Sequence, residues 1–108
     1  MDNLETLNAL LDMTKEAEEL ASDIEKSERL RSLVVEIRQK AKDEHNRLKR
    51  DRQKKEASYQ LCMIEILEEL DFGRVSWHNV IGLDVRLFRI REQIEGTIQE
   101  VKSNRLIM

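Results

Sequence analysis

The sequence predicts an all-α fold, and its proline, glycine and charge content indicate this. The 108 residues include no proline and three glycines, of which Gly73 is the first. Proline removes a helical hydrogen bond and clashes with the preceding turn, and glycine inside a helix costs about 1 kcal/mol relative to alanine. Charged residues make up 38% and aromatic residues 4% of the chain, a composition typical of helices that pack along narrow apolar seams. We expect one helical domain over residues 1–108, either a long-helix coiled-coil hairpin or an elongated three-helix bundle.

Two apolar stripes define the first predicted helix, residues 2–70. The first stripe has the alternating three- and four-residue spacing of a coiled-coil seam and consists of Leu10, Met13, Ala17, Leu20 and Ile24. The second stripe begins in a shifted register and consists of Leu30, Val34 and Ile37. The shift lies within residues 22–27, where Ser22 and Glu25 have the spacing of a capping box. The helix therefore either breaks near 22–27 or continues through it, and we prefer continuity because no glycine or proline forces a turn there.

The second half of this helix is basic. Residues 38–55 contain nine bases and three acids, with Ala41 and Leu48 as their aliphatic members. Acidic residues four positions before basic ones, as in Glu36 and Lys40, favour continued helix. If the segment contacts an anionic partner, the contact residues are Arg47, Lys49, Arg50, Arg52, Lys54 and Lys55.

Apolar residues return densely before a turn at residues 71–76. They cover most of the helix circumference, which predicts burial from more than one side, and the seam positions among them are Leu61, Ile64 and Leu67. Gly73 suits the left-handed position that ends a helix, and Ser76 is a natural N-cap for the next one.

The returning helix is predicted over residues 77–103. Its seam alternates steps of three and four residues and consists of Val80, Leu83, Leu87, Ile90, Ile94, Thr97 and Val101. Gly82 and Gly96 are interpreted as points of close backbone approach at a helix crossing. The apolar tail, residues 104–108, is expected to dock on the rest of the protein.

The charges are distributed in blocks along the chain. Residues 1–28 carry nine acids and two bases, whereas residues 29–58 carry eleven bases and five acids. Opposite blocks favour antiparallel apposition of the segments that carry them. Because a two-helix hairpin leaves two stripes half-exposed, we expect a second chain to complete the core.

No catalytic or metal-binding constellation is present in the sequence. His45 and His78 are distant from one another, and Cys62 has no neighbouring histidine or cysteine, whereas zinc needs three or four convergent ligands. We expect no enzymatic activity and no cofactor. The absence of a long apolar run argues against a membrane span, and the acidic start argues against a signal peptide. The expected location is the cytoplasm, with the nucleus as an alternative.

The functional hypothesis is a non-enzymatic protein–protein interaction module, a coiled-coil subunit or scaffold of a homodimeric or heteromeric helical assembly. One alternative is a nucleic-acid-associated helical protein that uses the basic stretch 38–55. Interspersed acids and the lack of aromatic residues in that stretch argue against it. Another alternative is an autonomous regulatory three-helix bundle in membrane trafficking.

Overall fold

The computed structural model describes residues 2–21, 27–50, 56–71 and 83–107. Within these residues the secondary structure consists of four helices and contains no strand: α1 (Asn3–Leu20), α2 (Ser27–Arg50), α3 (Ala57–Asp71) and α4 (Leu83–Ile107). The predicted all-α fold is confirmed.

The four helices pack as a closed antiparallel ring. α1 packs against α2 and α4, and α3 packs against the same two helices from the other side. Arg29, near the start of α2, pairs with Glu16 near the end of α1 at 3.3 Å, so these two neighbours run in opposite directions. Arg105, near the end of α4, pairs with Asp2 just before α1 at 2.9 Å. The molecule measures 47 × 25 × 21 Å and is an up-down-up-down four-helix bundle.

The single helix predicted for residues 2–70 corresponds to three helices in the structure. An unbroken helix of that length would extend about 100 Å at 1.5 Å per residue, whereas the longest dimension of the molecule is 47 Å. The first division coincides with the register shift, because α1 ends at Leu20 and α2 begins at Ser27. Residues 22–26 themselves lie outside the described residues. The second division, between Arg50 and Ala57, has no counterpart in the sequence pattern, where acid–base pairs favour helix.

The predicted turn at 71–76 lies almost entirely outside the described residues. α3 reaches Asp71, and the description resumes at Leu83 with α4. α4 continues past the predicted end at Ser103 as far as Ile107. Leu106, in the tail that was expected to dock, is 87% exposed. At Leu106 the docking expectation is therefore wrong, and this residue belongs to the solvent-facing end of α4.

One apolar core runs between the four helices. Each helix contributes buried side chains, and together they are Leu7, Leu10, Ala17, Leu30, Leu33, Val34, Ile37, Ala41, Leu48, Tyr59, Cys62, Met63, Ile66, Leu70, Leu87, Ile90, Ile94, Ile98 and Val101. Full burial of a leucine or isoleucine side chain contributes about 1.5–3 kcal/mol. All of these residues belong to one chain, so the reason for expecting a second chain to cover the stripes no longer applies to them.

Gly96 lies in the middle of α4, on the exposed side of the helix. The interpretation of this glycine as a point of close helix approach within the fold is wrong, because a Cβ atom built there has no neighbouring atom within 4 Å. Gly82, which received the same interpretation, lies outside the described residues. The packing of the bundle therefore gives no reason for a glycine at position 96.

Replacement of Gly96 by alanine is expected to raise the free energy of unfolding by about 0.5–1 kcal/mol. Alanine has the higher helix propensity and restricts the unfolded chain more, and the new methyl group meets no obstruction. Urea denaturation followed by circular dichroism measures this change. A loss of stability would show that another group occupies the space beside position 96.

Replacement of Ile90 by aspartate is expected to lower the free energy of unfolding by at least about 3 kcal/mol, because it buries a charge among apolar side chains. Ile90 is 1% exposed, whereas Val35 on α2 is 55% exposed. Val35→Asp is therefore the matched control, with an expected change of no more than about 0.5 kcal/mol. Similar losses for both variants would contradict the assignment of Ile90 to the core.

Candidate interaction surface

Most of the residues predicted as a core or partner seam lie inside the bundle. The buried members are Leu10, Ala17, Leu30, Val34, Ile37, Leu87, Ile90, Ile94 and Val101. Five more are partly buried, namely Met13, Leu20, Ile64, Leu67 and Leu83. Ile24 and Val80 lie outside the described residues. Leu61 differs from the other described seam residues, because its side chain is 52% exposed.

The outer face of α3 is the place where the predicted seam reaches solvent. Steps of three and four residues place Ala57, Leu61, Ile64 and Glu68 on one side of the helix. The opposite side carries Tyr59, Cys62, Met63, Ile66 and Leu70, all of which are buried in the core. Sequence analysis predicted burial of α3 from more than one side. The bundle covers one side of the helix and leaves Leu61 and half-buried Ile64 on the other.

An acidic groove runs between α3 and α4, next to this face. It has a volume of about 560 Å³ and is lined by Glu65, Ile66, Glu68, Glu69, Arg89, Ile90, Glu92 and Gln93. Glu69 interacts with α4 in two ways: its carbonyl oxygen accepts a hydrogen bond from Arg86 Nη1 at 3.2 Å, and its Oε1 lies 3.9 Å from Arg89 Nη1. Four carboxylates and one guanidinium line the groove, so its potential is negative.

The outer ridge of α4 separates this groove from a second one. The second groove lies between α1 and α4, has a volume of about 700 Å³ and is lined by Asn8, Leu11, Lys15, Glu92, Glu95, Gly96, Ile98, Gln99 and Lys102. Its two lysines balance its two glutamates. Cys62 on α3 interacts with Thr97 on α4, so the preceding residues, Leu61 and Gly96, lie at the same level on neighbouring helices.

A polar network joins all four helices at the end of the bundle that holds Asp2 and Arg105. Arg105 Nη2 donates hydrogen bonds to Asp2 Oδ1 and to Glu56 Oε1, each at 2.9 Å. Asn3 Nδ2 also donates to Glu56 Oε1, at 2.9 Å, which links α1 to the residue that precedes α3. Arg47 Nη2, on α2, donates to Asn3 Oδ1 at 3.4 Å. Sequence reasoning missed this network because Asp2 and Arg105 are far apart in the chain and no local spacing relates them.

Buried Tyr59 extends the network into the core. Its hydroxyl donates a hydrogen bond to Glu44 Oε2, which also accepts one from Arg47 Nη2 at 2.9 Å. Burial and the neighbouring Glu44 raise the pKa of Tyr59 well above its usual range. Burial opposes ionisation of Glu44, but the hydrogen bonds from Arg47 and Tyr59 outweigh it and hold the pKa of that carboxyl below its ordinary value. Both groups therefore keep one protonation state around neutral pH and hold helices together.

The single thiol is also inert. Cys62 lies in the core, and burial raises its pKa to about 11. A thiol in such surroundings stays protonated at neutral pH and is a weak nucleophile. Cys62 therefore behaves as a small apolar core residue.

The basic stretch is only partly described. Arg47 pairs with Glu44 within its own helix and so contributes to the polar network. Lys49 and Arg50 are exposed, and Arg50 Nε donates to the carbonyl oxygen of Asn46 at 3.4 Å. The other three predicted contact residues, Arg52, Lys54 and Lys55, lie outside the described residues.

The acidic first block is shared between two neighbours. Glu16 pairs with Arg29 of α2, as the charge blocks predict. Glu18 pairs with Arg91 of α4 at 2.8 Å, and that guanidinium also contacts Glu95 and lies 5.0 Å from the centroid of Phe88. Attraction between the acidic block 1–28 and the basic block 29–58 therefore contributes to the interface of α1 with α2. It does not account for the interface of α1 with α4.

The described residues form neither a metal site nor a membrane span. In the described ranges, no group of three or more histidine, cysteine, aspartate or glutamate residues is arranged to hold a metal ion. No helix in those ranges combines the length and apolarity that a bilayer-spanning segment needs. Comparisons with protein-family models, with curated proteins and with solved structures found no match to this chain.

Replacement of Tyr59 by phenylalanine is expected to cost about 1–2 kcal/mol at pH 7, because it keeps the ring and removes a hydrogen bond to a charged group. The folded-state pKa of Glu44 lies below its ordinary 4.5. Its contribution is therefore present above pH 4.5 and is lost as the pH falls through the folded value. The difference between the wild type and the variant should shrink near about pH 3.

Urea denaturation of both proteins at the two pH values tests this expectation. Gln39→Ala is the control, because the Gln39 amide donates a hydrogen bond to Asp43 on the exposed side of α2. We expect the control to change stability by less than about 0.5 kcal/mol at either pH. An equal loss for Tyr59→Phe at both pH values would show that the bond does not depend on the carboxylate charge.

Proposed function

We propose that this protein is a non-enzymatic protein–protein interaction module and that the outer face of α3 is its contact surface. The observation that carries the proposal is the exposure of Leu61 beside half-buried Ile64, on a helix whose opposite side lies in the core. In a chain with 38% charged residues, the polar alternatives for an exposed helix position are abundant. Covering a half-exposed leucine is worth about 1 kcal/mol, so the face gains stability when a partner packs on it.

The proposal keeps a subunit or scaffold role in a larger helical assembly but changes the residues that make the contact. The predicted seams are occupied inside the bundle, so a partner that used them would have to open it. α3 offers an apolar surface without that cost. The assembly therefore forms between intact bundles, or between one bundle and another protein.

The titratable groups and the exposed surface of the molecule support a binding role better than a catalytic one. Three groups have strongly shifted pKa values: Tyr59 and Cys62 are enclosed in the core, and the guanidinium of Arg105 is held protonated by its hydrogen bonds to Asp2 and Glu56. Their shifts favour one fixed protonation state, whereas acid–base catalysis needs a group that titrates near neutral pH. The exposed surface offers apolar area and charge, which are the usual means of protein recognition.

Site-specific photo-crosslinking tests this function. A photo-reactive amino acid at position 61 is expected to give crosslinks to a second protein chain in cell extract, whereas one at position 35 should give few. Val35 is the matched control because its exposure, 55%, is close to the 52% of Leu61 and it lies on α2. Equal crosslinking from both positions, or none from position 61, would contradict the proposal.

A further inference from the structure

We infer that the outer face of α3 and the neighbouring ridge of α4 receive an amphipathic helix with basic residues, supplied by a different protein. This inference rests on the proposed function and specifies the chemistry of the partner. Three features carry it: the apolar pair Leu61 and Ile64, the acidic groove beside Leu61, and the open space at Gly96, which lies across the ridge of α4 in the second groove.

The apolar pair determines the kind of element that binds. Leu61 and Ile64 are three residues apart and lie on one side of a helix, so they match the apolar side of a second helix that repeats every three to four residues. The groove between α3 and α4 runs along both helices and provides the depression in which that helix lies. Ile66 and Ile90 form part of its floor.

Gly96 supplies the point of closest approach. A glycine inside an exposed helix destabilises it, and within this bundle no neighbouring atom explains the missing side chain. Contact with the backbone of a partner helix does explain it, because the absence of a Cβ atom lets two helix axes come closer. Because Gly96 lines the groove between α1 and α4, the inference requires the partner helix to cross the ridge of α4 on its way to the apolar pair.

The charge of the groove distinguishes the partner from a second copy of this chain. Four carboxylates and one guanidinium line the groove, which favours lysine and arginine on the incoming helix. In a symmetric dimer through the same surface, each copy would present this same excess of carboxylates to the other. The groove between α1 and α4 lacks this bias, because its lysines balance its glutamates.

Nuclear magnetic resonance of the full ¹⁵N-labelled chain tests the inference with a defined probe. The probe is a peptide of about 14 leucine and lysine residues, which forms about four amphipathic helical turns. The comparison peptide replaces every lysine by glutamate. We expect the lysine peptide to shift the amide signals of Leu61, Ile64 and Gly96, and we expect the glutamate peptide to leave them unchanged.

Three variants assign the binding to this surface. Leu61→Gln is expected to weaken binding by about fivefold, and Val35→Gln is expected to leave it unchanged. Gly96→Ala should weaken binding by at least about threefold while it stabilises the free bundle, a combination that a general loss of structure cannot produce. Because both glutamine variants replace exposed residues, both should remain folded, and the unbound spectra verify this.

Several results would overturn the inference. They are shifts at Leu11 and Lys15 with none at Leu61 and Ile64, equal effects of the two peptides, no shift at millimolar peptide, or self-association in light scattering that Leu61→Gln abolishes. Failure of the inference can be told apart from failure of the function. A crosslink from position 61 to a protein segment without basic residues would leave the interaction module standing and exclude a basic helix as its partner.

Discussion

The contact between α1 and α4 is the interaction on which the rest of the bundle depends. Those two helices are the most distant in sequence, and their packing converts three successive hairpins into a closed ring. Leu7, Leu10 and Ala17 then fill the space between α2 and α4, whose stripes would otherwise face water. Arg91 and Glu18 hold one part of this interface, and Arg105 and Asp2 hold its far end. One chain can therefore bury all four stripes.

Local features of the fold could be predicted from the sequence, and non-local ones could not. Helix content follows from composition, and nine of the predicted seam positions, from Leu10 to Val101, are buried, because apolar spacing reports which side of a helix is covered. The register shift also marks the division between α1 and α2. The division after Arg50 gave no signal, because the charge pairs that favour helix say nothing about where a long helix must fold back to cover its own stripes. Whether a second chain or a fourth helix covers the apolar stripes depends on this reversal of the chain after Arg50, so that choice could not be predicted either.

The proposed contact surface could be predicted only in outline. A helix with apolar residues around most of its circumference implies two covering surfaces, and sequence alone cannot say which surface lies inside the protein. The structure separates Ile66 and Leu70, which lie in the core, from Leu61, which does not. Gly96 is a second example: the sequence suggested a close approach of helices, and a Cβ atom at that position would meet no atom within 4 Å. The polar network could not be found from spacing, because Arg105, Asp2 and Glu56 come from three separate parts of the chain.

An even number of alternating helices brings both ends of the described chain to one end of the bundle, and the hydrogen bond between Arg105 and Asp2 shows how near they are. This arrangement allows circular permutation: a short polar linker can join the ends of α4 and α1, and new ends can be opened between α2 and α3. In the permuted chain, α4 and α1 become a local hairpin, and α2 and α3 become the pair most distant in sequence. The same core would then be assembled in a different order, with its slowest loop closure moved from one interface to the opposite one.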